Sequence, residues 1–172
     1  MTRAFIVLGM HRSATSLVAK GLLKAGVFMG RNFLKADSGN PHGYWEDTEF
    51  VNLNKWLLTK AGGDWYNVPP EKKILKLGED RWVQKQIAEL IKSRNMVHKL
   101  WGFKDPRTVL TIRLYLPYLP EHFFYVAFRK PEDCAGSMSR RDGTVGQNNL
   151  MVVREYNRRL LNFLQEQNLK WL

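Results

Sequence analysis

The stretch F-I-V-L-G-M-H-R-S-A-T-S, Phe5 to Ser16, decides how this chain is read. Its apolar opening, Phe5 to Leu8, is a short strand that stops at Gly9. A compact polar loop follows and opens into an amphipathic segment, Leu17 to Ala25, with Leu17, Val18, Gly21 and Leu22 at helical spacing. Strand, tight loop and helix together aim backbone N–H groups and a helix N-terminus at one anion. Arg12 adds a fixed positive charge to the loop, and Ser13, Thr15 and Ser16 add hydroxyl donors. The stretch reads as an anion cradle. The plainer alternative is an ordinary strand–turn–helix carrying a surface arginine.

The nature of the anion follows from what the loop lacks. Against the G-x-x-x-x-G-K-[ST] pattern of ATP and GTP enzymes, Gly9 and Ser16 are kept, but Ala14 and Thr15 stand where Gly and Lys belong. Those enzymes need that Lys beside the β- and γ-phosphates, with magnesium to neutralise them. Here the cation has moved back to Arg12, which argues for a different anionic group.

Composition sets the outer limits. With 172 residues and 44% apolar content, the chain has enough material for one domain with a proper core, residues 1–172. A single cysteine, Cys134, excludes a disulfide framework and a cysteine-based zinc site, and a reducing, cytoplasmic setting is expected. The N-terminal apolar run is too short for a signal peptide, and no window approaches the ~20 apolar residues of a membrane span. The net charge of +11 asks for an anionic partner. Because the cations are scattered rather than clustered, a compact phosphate-bearing ligand fits at least as well as nucleic acid or a membrane surface.

Along the chain, Val27 to Gly43 is long for a connection, and such loops are often functional. In G-Y-W-E-D-T-E-F-V-N-L-N-K-W-L-L, residues Phe50, Leu53 and Leu57 form a helical stripe, with Glu46 four residues before Phe50 on the same line. A carboxylate on the inward line of a helix is a general-base candidate. An acidic residue at a helix N-terminus is the alternative, and Asp47 and Glu49 lie beside it. Asp80 can cap a helix carrying Val83, Ile87, Leu90, Ile91 and Arg94. Lys72, Lys73 and Lys76 read as a solvated face. His98 to Phe103 reads as a buried strand releasing Lys104, Asp105, Pro106 and Arg107 at the sheet edge, where ligands of open α/β sheets bind. Phe123 to Phe128 reads as a central strand, ending in Arg129. Ser137 follows eight residues after Arg129, and Arg140 and Arg141 extend the positive surface. Leu150 to Leu164 is a packing helix through Leu150, Val153, Asn157, Leu160, Leu161 and Leu164. Alternating strands and helices imply an α/β fold of three layers, a mostly parallel sheet flanked by helices on both faces. Arg12, Lys104 and Arg129 then face one crevice.

In this order the motifs resemble those of the sulfotransferases that use 3′-phosphoadenosine 5′-phosphosulfate (PAPS), chiefly the bacterial and tyrosylprotein types. H-R-S-A-T-S-L resembles their 5′-phosphosulfate loop, and F-R-K-P-E-D-C-A-G-S-M-S-R-R their 3′-phosphate element. F-K-D-P-R resembles a K-D-P segment, and G-Y-W-E-D-T-E the segment carrying their catalytic glutamate. The resemblance runs from about Ala4 to Arg141. It implies a fold like that of the P-loop NTPases. It also implies transfer of a sulfuryl group from PAPS to an acceptor hydroxyl on a small alcohol, a sugar or a peptide side chain, with no metal. By the same resemblance, Arg12, Ser13, Ala14, Thr15 and Ser16 would hold the 5′-phosphosulfate. Arg129, Ser137 and Arg141 would hold the 3′-phosphate. Glu46 would take the acceptor's proton and Lys104 would steady the charge growing on the bridging oxygen as the sulfuryl group leaves, with Arg12 counted beside them as catalytic.

The departures are specific. Ala14 replaces the loop glycine, so its backbone is expected to avoid conformations reserved for glycine. Leu17 stands where cytosolic members carry a Trp near the adenine. His11 and His42 are the histidines available as an alternative base. Tyr44, Trp45, Trp56 and Trp65 would line an acceptor pocket or pack in the core. Two other functions stay open: a nucleotide kinase with a degenerate loop, and a module that binds 3′-phosphoadenosine 5′-phosphate (PAP) without turnover.

Overall fold

Three parallel strands form the sheet, in the order β2–β1–β3, with β1 Arg3–Leu8 between β2 Leu100–Lys104 and β3 Glu121–Val126. The computed structural model describes residues 1–37, 40, 43–143 and 146–167, the side chain of Asp142 excepted. Seven helices surround the sheet among the described residues. These are α1 Thr15–Lys24, α2 Thr48–Lys60, α3 Glu71–Lys76, α4 Arg81–Val97, α5 Thr108–Tyr115, α6 Pro131–Asp142 and α7 Gly146–Glu166. The chain is an α/β protein.

Alternation along β1 builds the layers. Ala4, Ile6 and Leu8 point into the larger core with residues of α2, α4, α5 and α7. Val7 points the other way, against Ala19 and Leu22 of α1 and against Val27 and Met29. On the larger side an aromatic stack holds α2 to β2: Phe50 lies parallel to Phe103 with ring centroids 3.8 Å apart, and Trp101 and Tyr115 complete it. No helix among the described residues is long and apolar enough to cross a membrane.

The helix signals hold where caps and stripes coincide. Asp80 accepts from the N–H groups of Trp82 and Val83, and Val83, Ile87 and Ile91 of α4 are buried. Lys72, Lys73 and Lys76 are exposed. Elsewhere the faces differ from the expected ones. Helix α1 begins at Thr15 and buries Thr15, Ala19 and Leu22, which leaves Leu17 72% exposed. In α7 the inward line runs through Val153, Tyr156, Leu160, Phe163 and Leu164, so Leu161 faces out and Asn157 is half-buried.

Strand β3 is an edge strand, not the central one. Its residues alternate between exposed and half-buried, whereas Ala4, Ile6, Val7 and Leu8 of β1 are fully buried. The charge-free aromatic run reads as doubly covered, but its exposed aromatics cover one another instead. Phe5 stacks on Phe123 at 5.6 Å and lies 6.2 Å from Tyr125.

Parallel pairing in register brings the ends of all three strands to one edge of the sheet, with Val7 opposite Lys104 and Leu8 opposite Val126. The loops after them occupy that edge. The first must pass very close to the third: a Cβ on Gly9 would lie 2.5 Å from the Ala127 carbonyl oxygen and 2.8 Å from Thr15 Cγ2. Gly9→Ala is therefore expected to cost about 1–3 kcal/mol, read as a lower urea midpoint with an unchanged slope.

Candidate functional site

At the C-terminal edge of the strands lies a cavity of about 500 Å³, within the range of small-molecule sites. Its lining includes His11, Arg12, Ala14, Thr15 and Ser16 from the first loop and helix, Tyr44, Trp45 and Glu46 before α2, Lys104 at the end of β2, and Arg129 and Arg141 beyond β3. Arg12, Lys104 and Arg129 do share one crevice. Arg129 reaches across to the loop itself, its Nη1 donating to the Arg12 carbonyl at 3.2 Å.

The loop is wound tightly. Arg12 and Ala14 both adopt left-handed conformations, each with φ 67°. Ala14 thus enters the region that its sequence was expected to avoid. It occupies the N-cap position of α1, which has no side-chain cap, so the first N–H groups of the helix are presented at the cavity wall. Ser13 is differently employed from its expected role as a ligand. Its hydroxyl donates to the Met10 carbonyl at 2.6 Å and its N–H to the same oxygen at 3.2 Å, pinning the turn from inside. Ser137 is also buried and outside the lining. It accepts from Arg12 Nε at 2.9 Å and so orients the guanidinium rather than facing the cavity.

The catalytic candidates meet in the middle. Lys104 Nζ donates to Glu46 Oε1 at 2.6 Å and to the Tyr44 carbonyl at 3.0 Å, and Ser16 Oγ donates to that carbonyl at 3.1 Å. Glu46 does not sit on the helical stripe. Asp47 is the N-cap of α2, accepting from the Glu49 N–H, and Glu46 precedes it. Its inward aim comes from the turn before it, where Trp45 has φ 55°. Asp47 and Glu49 are engaged elsewhere, both paired with Arg94 of α4. Burial pushes the Glu46 carboxyl above its ordinary range, while Lys104 and Arg107 draw it back.

Other residues fall into place around this centre. Arg107, expected as a ligand cation, is buried behind Glu46 and outside the lining. Tyr44 and Trp45 line the cavity; Trp65 packs behind it, 4.7 Å from the His11 ring. Trp56 belongs to a distant contact with Trp82, and Arg140 is exposed outside the lining. His42 lies outside the described residues. Asn40 and Gly43, from the long loop read as functional, and Pro106, from the strand-end segment, also line the cavity. Lys20 is the lining residue that sequence reasoning missed, and its place one turn after Ser16 on α1 was the available signal.

The chain matches no protein-family model, no curated protein and no solved structure. The site must be read on its own chemistry.

His11 Nε2 is buried without a hydrogen-bond partner among the described residues. Burial first, then the positive charges of Arg107, Lys104, Arg141 and Arg12, hold its pKa well below the ordinary 6.5. The imidazole is therefore neutral at physiological pH. Below pH 6.5 the unfolded chain takes up a proton here that the folded chain refuses, so His11 makes stability fall as pH drops. In His11→Phe that part of the acid-side slope, read by denaturant titration, disappears. Ala14→Gly relieves the left-handed strain and is expected to gain about 0.5–1 kcal/mol after the entropy of the added glycine is counted.

Proposed function

We propose that the protein is a PAPS-dependent sulfotransferase on a P-loop-like α/β scaffold, moving a sulfuryl group to an acceptor hydroxyl. The observation that carries this reading is the shared cavity. One crevice is lined by Arg12, Lys104 and Arg129, opens on the N-terminus of α1, and holds a buried carboxylate 2.6 Å from Lys104. A bis-phosphorylated nucleotide with a sulfuryl group carries about four negative charges, and the described lining offers five cations against one carboxylate.

The residues divide the work. Arg12, Thr15 and the backbone N–H groups at the α1 N-terminus, that of Ser16 included, bind the 5′-phosphosulfate through charge-assisted hydrogen bonds, while the Ser16 hydroxyl stays on the Tyr44 carbonyl. Ser137 holds Arg12 for that task, and Ser13 keeps the loop wound. Arg129, with Arg141, takes the 3′-phosphate. Glu46 accepts the proton of the acceptor hydroxyl as its oxygen attacks sulfur. The bond between sulfur and the bridging oxygen breaks in line, and that oxygen leaves on PAP with a growing negative charge stabilised by Lys104. Catalysis of this kind rests on positioning and preorganised charge, so the cations of the crevice take the part that magnesium plays in kinases.

A melting-temperature panel of PAP, AMP, ATP with magnesium, and sulfate tests the reading. PAP in EDTA should give the largest shift, equivalent to about 2.7 kcal/mol at a hundred times Kd; a larger shift with ATP and magnesium would favour a kinase. Glu46→Ala should lose PAPS-dependent transfer while keeping the PAP shift. Retained PAP binding with no transfer by the parent protein would leave a binding module.

A further inference from the structure

Behind the cavity, a chain of buried polar contacts ends on Glu46. Arg107 Nη1 donates to Asp105 Oδ1 at 2.7 Å and approaches Glu46 Oε2 at 3.5 Å, and the Arg107 N–H also donates to Asp105 Oδ1 at 3.1 Å. The other oxygen of Asp105 accepts from Asn54 Nδ2 at 2.9 Å. Asn54 is then fully engaged. The same Nδ2 donates to Thr108 Oγ1 at 3.0 Å, while its Oδ1 accepts from Thr111 Oγ1 at 2.7 Å and from the Tyr115 hydroxyl at 3.0 Å. Asn54, Asp105, Thr108, Thr111 and Tyr115 are completely buried. Arg107 Nε is buried without a hydrogen-bond partner among the described residues; the contacts around Asn54 and Asp105 are satisfied, and a satisfied buried network is rigid.

We infer that Arg107, pinned by Asp105 and Asn54, is a positioning residue that holds the Glu46 carboxylate toward the cavity. The inference rests on the sulfotransferase reading for its purpose. In that reading Lys104 serves the leaving oxygen, so it cannot also remain the full counter-charge of Glu46. Arg107 touches no part of the cavity and stays on the far oxygen of the carboxylate throughout. Its Nη1 contacts both Asp105 and Glu46, and the guanidinium, charged at any working pH, keeps a fixed positive group between the two carboxylates. Lys104 and Arg107 against Glu46 and Asp105 also make a buried group of balanced charge, which offsets part of the cost of removing four ions from water.

The groups acting on Glu46 are known from each side. Lys104 from β2 and Arg107 from the loop before α5 favour its ionised form; Asp105 and burial oppose it. Tyr44, on its own segment, is a phenol whose pKa is raised by burial and by Asp37, and neutral His11 lines the same cavity. Loss of Arg107 therefore raises the proton affinity of Glu46.

The test reads Glu46 directly, with no donor or acceptor present. Protein labelled with ¹³C at glutamate carboxyls is titrated by NMR, the Glu46 signal being assigned by its loss in Glu46→Gln. In Arg107→Gln the midpoint should rise by about one pH unit, a tenfold gain in proton affinity. Arg107→Lys, which keeps the charge and is the variant of choice should the first not fold, should show a smaller rise. Midpoints equal to the parent's in both variants would overturn the inference. For the active enzyme, the acid limb of kcat/KM should move up in parallel while PAP affinity stays within twofold. A protein that shows the NMR shift but no PAPS-dependent transfer would refute the sulfotransferase reading and leave the positioning of Glu46 by Arg107 standing.

Discussion

Glu46 and Lys104 form an ion pair with each residue only 2% exposed, and much of the architecture serves to make that pair tolerable. Removing a carboxylate and an ammonium from water costs several kcal/mol per ion even after relaxation. A domain of this size has only about 5–15 kcal/mol of net stability to draw on. The cost is met by geometry: Lys104 is fixed at the end of a strand, Glu46 by a turn locked onto the α2 cap, and Arg107 and the Tyr44 carbonyl complete their contacts. Stability alone does not call for such an arrangement, since apolar residues of similar volume would serve as well or better. A buried ion pair at the wall of a cavity is the arrangement that the proposed proton transfer would use.

The sheet explains why so few strands suffice. Parallel strands in register deliver three loops to one edge, so residues separated by more than a hundred positions in sequence come together without any long excursion. Arg129 donates to the Arg12 carbonyl and Arg12 donates to Ser137; the first and third loops thus brace each other before any ligand arrives. A preorganised cation pair of this kind loses little side-chain entropy on binding. The left-handed Arg12 and Ala14 are the local strain that the tight winding entails.

Much of this was legible in the sequence, for physical reasons that differ by element. Phe5 to Ser16 was readable because strand, turn and helix signals follow one another within a dozen residues and each is local. Asp80 was readable because a cap followed by a 3.6-residue stripe is local too. Strand β3 was misread because aromatic, uncharged residues report low polarity, not coverage; only pairing tells an edge from a centre. Glu46 lay on an apparent helical line, but helix periodicity cannot show where the helix starts, and Asp47, an N-cap residue type, was the neglected marker. Ser13 and Ser137 were assigned to the ligand because a hydroxyl's partner is a matter of tertiary contact. Asn54 interrupts an otherwise apolar stripe on α2, and that interruption was the trace of the network behind Arg107.

The central claim is that one crevice grips a nucleotide at both phosphates, with Arg12 at one end and Arg129 at the other. It is tested most directly by titration calorimetry of PAP and AMP, in EDTA, on the parent protein and on Arg129→Ala. The account predicts that the parent prefers PAP over AMP by at least tenfold, about 1.4 kcal/mol, and that Arg129→Ala loses that preference while AMP affinity stays nearly unchanged. A parent protein that binds both equally, or an Arg129→Ala variant that keeps the preference intact, would contradict it.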